Sequence, residues 1–227
     1  MTNLTLSEQT LSILSNFAKI NQNIYIEPGN RLRTYSKEDG IFAGFDTEES
    51  FEQSFGIYDL KEFLSLINLH SPNLEFAEDY VNIKSAKAST RYVNRSANVL
   101  EYPKTEPKVQ NFEILLSLKW DDIKEALQAA SILGFEYLSL KCEDETLSLV
   151  AEDFETESTN RYEKELFYGD DGAVGKFNFI ISLENIKKLY QGDYLVYLSS
   201  RKIAKFKHLD LDLEYFMTGN KNTTFGD

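Results

Sequence analysis

Gly169, Gly172 and Gly175 lead into Lys176, the composition of a loop that cradles phosphate with backbone N–H groups. The match stops there. The glycine spacing is off by one, Phe177 stands where a Ser or Thr hydroxyl would hold magnesium, and a strand pattern follows where a helix is required. The run reads as a flexible turn. The two histidines, His70 and His208, lie far apart in sequence, and Cys142 is the single cysteine. Neither a zinc-ligand spacing nor a Cys-His nucleophile pair is present. Asp and Glu together number 37, so counting alone does not exclude a metal-dependent nuclease or a glycoside hydrolase. Asp210, Asp212 and Glu214, however, alternate with Leu209, Leu211, Leu213 and Tyr215, the pattern of a strand with one wet face. No motif calls for a metal or a cofactor.

The elements around these residues read as α+β. Four helices are predicted from apolar residues at helical spacing. The first spans about Ser7–Ile20, with Leu11, Leu14, Phe17 and Ala18 inward and Ser7 as N-cap. The second spans about Asp59–Leu69, with Leu60, Phe63, Leu64 and Ile67 inward; Asp59 followed by Glu62 is a capping-box-like start. The third spans about Trp120–Leu133 and stops at Gly134. The fourth spans about Leu183–Tyr190, with Ser182 as its cap. Short strands fill most of the rest, among them Ile24–Glu27, Phe51–Tyr58, Tyr80–Ser85, Tyr137–Cys142, Phe177–Ile181, Tyr194–Leu198 and Leu209–Phe216.

A chain of 227 residues suits one large domain or two of about 110 residues each. The pattern lapses near Pro103 and Pro107, which places a linker at 99–110 between domains at 1–98 and 111–227. The two halves repeat one order of elements. Ile57-Tyr58-Asp59-Leu60-Lys61 is matched in character by Ile180-Ile181-Ser182-Leu183-Glu184. Leu4-Thr5-Leu6, a helix and Ile24-Tyr25-Ile26 are matched by Leu115 to Leu118, a helix and Leu138-Ser139-Leu140. A period of about 115 residues is too long for a solenoid unit and points to two copies of one domain.

Net charge is −13, so the mean field repels phosphates. Any role on DNA must rest on a local reversal of charge or on topology. One cysteine allows no intrachain disulfide and fits a reducing cytosol. The N-terminus lacks a basic-then-apolar signal, and no apolar run approaches the roughly 20 residues of a membrane span.

Asn16-Phe17-Ala18-Lys19-Ile20-Asn21, the run Ile57 to Leu69 and the run Phe177 to Leu198 resemble, in order and spacing, the DNA polymerase sliding clamps of T-even-type bacteriophages. The likeness covers essentially the whole chain and rests on structural residues. It implies the DNA-clamp fold: two similar domains, each with two helices packed on antiparallel sheets. It further implies a homotrimeric ring, joined head to tail, that encircles double-stranded DNA without reading its sequence. Such a ring is opened by an ATP-dependent clamp loader, tethers the replicative polymerase and supports viral late transcription through further factors. It is not an enzyme, has no membrane role and works in the cytoplasm of the infected bacterial host.

In that frame the outward helix faces are where DNA passes. The residues expected to line the channel are Lys19, Lys61, Lys119, Lys124, Lys187 and Lys188. Acidic residues on the same helices nearly balance them, while the surplus negative charge lies in Glu48–Glu52, Glu143–Glu157 and Asp210–Glu214. A near-neutral lumen slides where a strongly basic one would grip. Asp121 and Asp122 depart from a basic lumen and suit the N-terminal end of a helix dipole. Lys84, Lys87, Arg91 and Arg95, and again Arg201, Lys202, Lys205 and Lys207, belong to a lumen rim, to subunit contacts or to solvated sheet edges. Leu100, Tyr102, Pro103, Leu213 and Phe216 are the candidates for a partner-peptide pocket. Two other readings stay open on residues alone: a duplicated virion or assembly protein, and a carboxylate-based hydrolase.

Overall fold

The computed structural model describes residues 2–70, 73–152, 160–166 and 175–226. The chain forms two compact units, Met1–Glu38 with Phe42–Glu106, and Asp39–Ile41 with Pro107–Asp227. The glycine run at 169–172 and part of the acidic run 143–157 lie outside the described residues.

The first unit contains β1 (Thr2–Thr5), α1 (Glu8–Phe17), β2 (Ile24–Ile26), β3 (Gly29–Ser36), β4 (Ile41–Phe51), β5 (Phe55–Ile57), α2 (Leu60–Leu69), β6 (Asn73–Phe76), β7 (Tyr80–Lys84) and β8 (Ser89–Val93). Ser7 starts α1 by accepting the Thr10 N–H at 3.2 Å. The Glu49 carboxylate accepts the Thr10 hydroxyl at 2.7 Å and also the Ser7 N–H. Asp59 starts α2, its Oδ1 accepting the Glu62 N–H at 2.9 Å. These bonds satisfy donors that a helix start leaves free. An antiparallel sheet runs in the order β1-β6-β7-β8, with Leu4 opposite Leu74, Leu74 opposite Ile83 and Val81 opposite Tyr92. Four rings join α2 to these strands: Phe55 lies 5.4 Å from Phe76 and 6.1 Å from Phe63, and Phe63 lies 5.2 Å from Tyr92. Burying each such side chain stabilises by about 1.5–3 kcal/mol.

The second unit contains β9 (Ile114–Leu118), α3 (Trp120–Leu133), β10 (Tyr137–Glu143), β11 (Thr146–Ala151), β12 (Tyr162–Glu165), β13 (Phe177–Ser182), α4 (Leu183–Ile186), β14 (Tyr194–Ser199), β15 (Ile203–His208), β16 (Leu213–Thr218) and β17 (Thr224–Phe225). One antiparallel sheet runs β12-β11-β10-β13-β17, and β16-β15-β14-β9 are neighbours in another. Gly134 ends α3 in the left-handed region at φ 74°, where a Cβ would be strained. The core gathers Ile123, Ala126 and Ala130 of α3 with Leu138, Leu140, Ile181, Val196 and Phe206.

The two units share one fold-defining bond. The Leu60 N–H donates to the Gln22 carbonyl at 2.8 Å, and the Leu183 N–H donates to the Glu136 carbonyl at 2.8 Å. In each unit the first residue of the second helix is thereby tied to the residue one or two positions before the strand that follows the first helix.

Three predicted elements differ. The run Phe51–Tyr58 is two strands: β4 lies beside β3 whereas β5 pairs with β2, so the chain must leave one sheet for another at Glu52–Ser54. The fourth helix is α-helical only over Leu183–Ile186. Bonds from Lys188 to Asn185 and from Leu189 to Ile186 then tighten it into a closing turn. The Leu209–Phe216 alternation is strand only from Leu213. His208 Nδ1 accepts the Asp210 N–H at 3.0 Å, holding residues 209–212 as the bend between β15 and β16 and leaving Leu209 half exposed. Asp210 and Asp212 therefore do not share a strand face with Glu214, which pairs with Lys205 at 2.6 Å.

Candidate nucleic-acid interface

Each of the four described α-helices has an exposed lysine on it or at one of its ends. Lys19 follows the last turn of α1, Lys61 is the second residue of α2, Lys119 is the N-cap of α3 and Lys124 stands one turn into it; all are exposed. Lys187 is exposed beyond α4 and pairs with Glu184 at 2.7 Å. Lys188 is a correction. Its ammonium is held on Asp39 at 2.6 Å with its side chain 15% exposed, so it serves the second unit's own structure.

The acids of α3 are answered locally. Lys164 of β12 reaches Asp122 at 2.8 Å and Glu125 at 2.5 Å. The hydrogen bonds that Lys164 donates to Asp122 and Glu125 raise its pKa well above the ordinary lysine range, and the bond to Glu125 lowers the pKa of that carboxyl. Of the two acids that depart from a basic lumen, Asp121 is exposed and Asp122 is paired with Lys164. Lys164 offsets one of the two negative charges it pairs with, and the exposed surface of α3 carries Lys119 and Lys124 beside Asp121 and Glu125.

The histidines and the cysteine have structural surroundings. His70 hydrogen-bonds Thr90 Oγ1 at 2.8 Å, His208 Nε2 meets the Gln191 carbonyl at 3.0 Å, and Cys142 is buried. Burial pushes the Cys142 thiol pKa up, the opposite of an activated nucleophile. Among the described residues no group of three or more His, Cys, Asp or Glu could hold a metal, and no helix is long and apolar enough to cross a membrane.

The expected partner-peptide residues are divided between the two units and are mostly covered within each. Leu100 and Pro103 are buried in the first unit, and Tyr102 packs on Tyr25 with ring centroids 4.7 Å apart. A Cβ on Gly56 would lie 2.8 Å from Leu100 Cδ1 and 2.0 Å from the Arg95 carbonyl, so glycine makes room for this segment. Asn21 Nδ2 donates to the Glu101 carbonyl at 2.8 Å, and Arg31 grips Glu106 at 3.1 Å. These residues anchor the connecting segment. Leu213 has no exposed surface and is core, and Phe216 lies largely covered beneath Lys205, whose Nζ is 5.2 Å from the ring. Leu115 is half exposed on β9, opposite Tyr197 of β14, and Tyr197 packs on Phe112 with ring centroids 5.7 Å apart. Leu115 is thus an apolar residue on the wet phase of the alternation Ile114-Leu115-Leu116.

Among the described residues each unit has a sheet that ends on a strand with no further neighbour. β8 ends its sheet with Arg91 and Val93 exposed and Lys87 and Arg95 nearby; β12 ends its own with Glu163 and Glu165 exposed.

Duplicated α+β units with lysine-bearing helices and open sheet edges constitute the DNA-clamp fold. The chain is similar in structure to A. fulgidus PCNA, solved with the C-terminal region of FEN-1 bound to it: the TM-score is 0.75 at 11% identity, covering 99% of this chain and 100% of that one. In sequence it is 29% identical over 221 residues to the sliding clamp of Vibrio phage KVP40, covering 94% of this chain and 98% of the relative. It is 22% identical over 211 residues to the sliding clamp of Escherichia phage RB69, covering 90% and 92%. No protein-family model matches. The resemblance to T-even-type phage clamps read from the sequence is thereby shown across nearly the whole chain.

Proposed function

We propose that this chain is one subunit of a sliding clamp that encircles duplex DNA and tethers a replicative polymerase. The observation that carries this reading is the near full-length similarity to phage proteins named sliding clamps, on a duplicated clamp fold. In the proposed ring, three copies join head to tail, with the acidic β12 edge of one copy meeting the basic β8 edge of the next. An unpaired edge strand is a template for such pairing. Lys19, Lys61, Lys119, Lys124 and Lys187 line the channel. Lys188 is withdrawn from that set because Asp39 holds it. The exposed Leu115 and the Phe112–Tyr197 pair are the surface we assign to partner peptides, in place of the buried Leu213. Loading by an ATP-dependent loader, a role in viral late transcription and residence in the host cytoplasm complete the reading.

The first test is molar mass by light scattering across protein concentration. A mass of three subunits that falls toward one on dilution is the mass-action behaviour of a reversible ring. A strict monomer at every concentration overturns the topological mechanism. The second is the double variant Lys61→Glu with Lys124→Glu. We expect loader-dependent processivity on primed circular DNA to fall several-fold, with ring mass unchanged. Unchanged processivity removes these residues from the channel.

A further inference from the structure

Duplication makes the two units each other's control, and one place differs in a way that opens a site. In the first unit the Gln22 Nε2 donates to Asp59 Oδ2 at 3.0 Å, closing the gap between the strand start and the cap of α2. The matching bonds from Leu60 to Gln22 and from Leu183 to Glu136 identify Glu136 and Ser182 as the equivalent pair in the second unit. There the gap stands open. Glu136 and Ser182 both line it, and Ser182 makes no side-chain cap bond to α4.

The result is a cleft of about 390 Å³ whose lining includes Phe135, Glu136, Tyr137, Ser182, Glu184 and Lys187. Its two carboxylates outnumber its single ammonium, and that ammonium is already paired with Glu184 at 2.7 Å. Glu136 is exposed and its side chain has no partner among the described residues. Beside the cleft, the last turn of α3 leaves Ile132 83% and Leu133 37% exposed. An apolar shelf, two half-buried aromatic rings and an uncompensated carboxylate converge here.

We infer that this cleft binds an extended segment of a partner protein carrying a basic residue next to an apolar one. The cation meets Glu136 and the aromatic walls, and the apolar neighbour covers Ile132 and Leu133. A guanidinium or ammonium gains from a carboxylate and from ring faces at once. A phosphate inside the cleft would meet net negative charge, since Lys187, which the proposed channel shares at the cleft's rim, is paired with Glu184 and leaves Glu136 unopposed. The inference does not depend on the ring: the cleft is built wholly within the second unit.

The probe is a fluorescein-labelled decapeptide with an Arg-Leu-Leu-Lys centre, titrated against the intact protein beside a Glu-Leu-Leu-Glu counterpart. We expect the basic peptide to bind and to shift the amide signals of Gly134, Phe135, Tyr137 and Leu183. Glu136→Lys should weaken it about tenfold or more. Glu38→Lys, an exposed acid in the other unit, should leave it unchanged. Equal binding of both peptides, no basic-peptide binding at millimolar concentration, or indifference to Glu136→Lys overturns the inference. So does the appearance of the same amide shifts without peptide as the protein is concentrated, which would make a second copy the occupant.

Discussion

The first and second units open their second helices with the same backbone bond and finish them differently. α2 runs for 10 residues, while α4 lasts 4 before a closing turn. Both carry an apolar stripe: Leu60, Phe63, Leu64 and Ile67 in one, Leu183, Ile186 and Leu189 in the other. The cap is different. Asp59 accepts an N–H of α2, and Ser182 accepts none from α4. The side-chain bonds of the closing turn are different too. Buried Asn185 donates to the Asp39 carbonyl at 2.7 Å, Lys188 is drawn to the Asp39 carboxylate, and the Tyr190 N–H turns to the Tyr215 hydroxyl at 3.2 Å. An apolar stripe decides which face is buried. Caps and competing side-chain bonds decide how far the helix continues.

The comparison breaks most visibly in the core. Leu64 and Ile186 are 7% and 5% exposed, so Leu64→Asn and Ile186→Asn each bury an amide in place of a packed aliphatic. Each should cost about 3–5 kcal/mol. Chemical denaturation monitored by circular dichroism reads this. If Ile186→Asn is tolerated while Leu64→Asn is not, α4 is a peripheral turn and the two units are not equivalent in their cores.

The sequence made these faces legible because helical and alternating periodicities survive in single residues. Ser7, Asp59 and Gly134 stand at helix ends as read, and the exposed lysines of α1, α2 and α3 face solvent as read. Tertiary partners were not legible. Nothing near Lys188 announces Asp39, which lies 149 positions away along the chain. The Lys164 clamp on Asp122 and Glu125 likewise joins a strand to a helix from afar. The Leu209–Leu213 alternation misled for a local reason: a bend ordered by His208 can carry the same Leu-Asp repeat as a strand. Leu213 was placed in a partner pocket because exposure on a short strand depends on which face is covered, and that follows from sheet neighbours.

A smaller effect sharpens the contrast of caps. Asp59→Ala removes the acceptor at the start of α2 and should destabilise by about 1 kcal/mol. Ser182→Ala removes no cap bond and should stay within about 0.5 kcal/mol of the parent. Thermal unfolding of the two variants measured side by side gives the difference. Equal losses would mean that Ser182 supports α4 by a route other than capping.

The smallest expected effect is in pH, and it compares one carboxylate from each unit. Burial opposes the charge on Glu49, yet the hydrogen bonds from Thr10 and Ser7 outweigh it and hold its pKa below the ordinary 4.5. Burial likewise opposes the charge on Glu113, whose pKa is lowered by the backbone and hydroxyl bonds of Ser200, at 2.9 and 2.8 Å. A lowered native pKa means that the unfolded chain takes up the proton first. The stabilisation is therefore fully present above the unfolded value and is lost as pH falls through the native one. Thermal midpoints of Glu49→Gln and Glu113→Gln should fall below the parent near neutral pH, and the gaps should close on acidification below the ordinary carboxylate value. Glu49 anchors the start of α1 while Glu113 pins the hairpin between β14 and β15, so the Glu49 gap should be the wider. A Glu49 gap that stays constant with pH would show that its contribution is packing rather than charge.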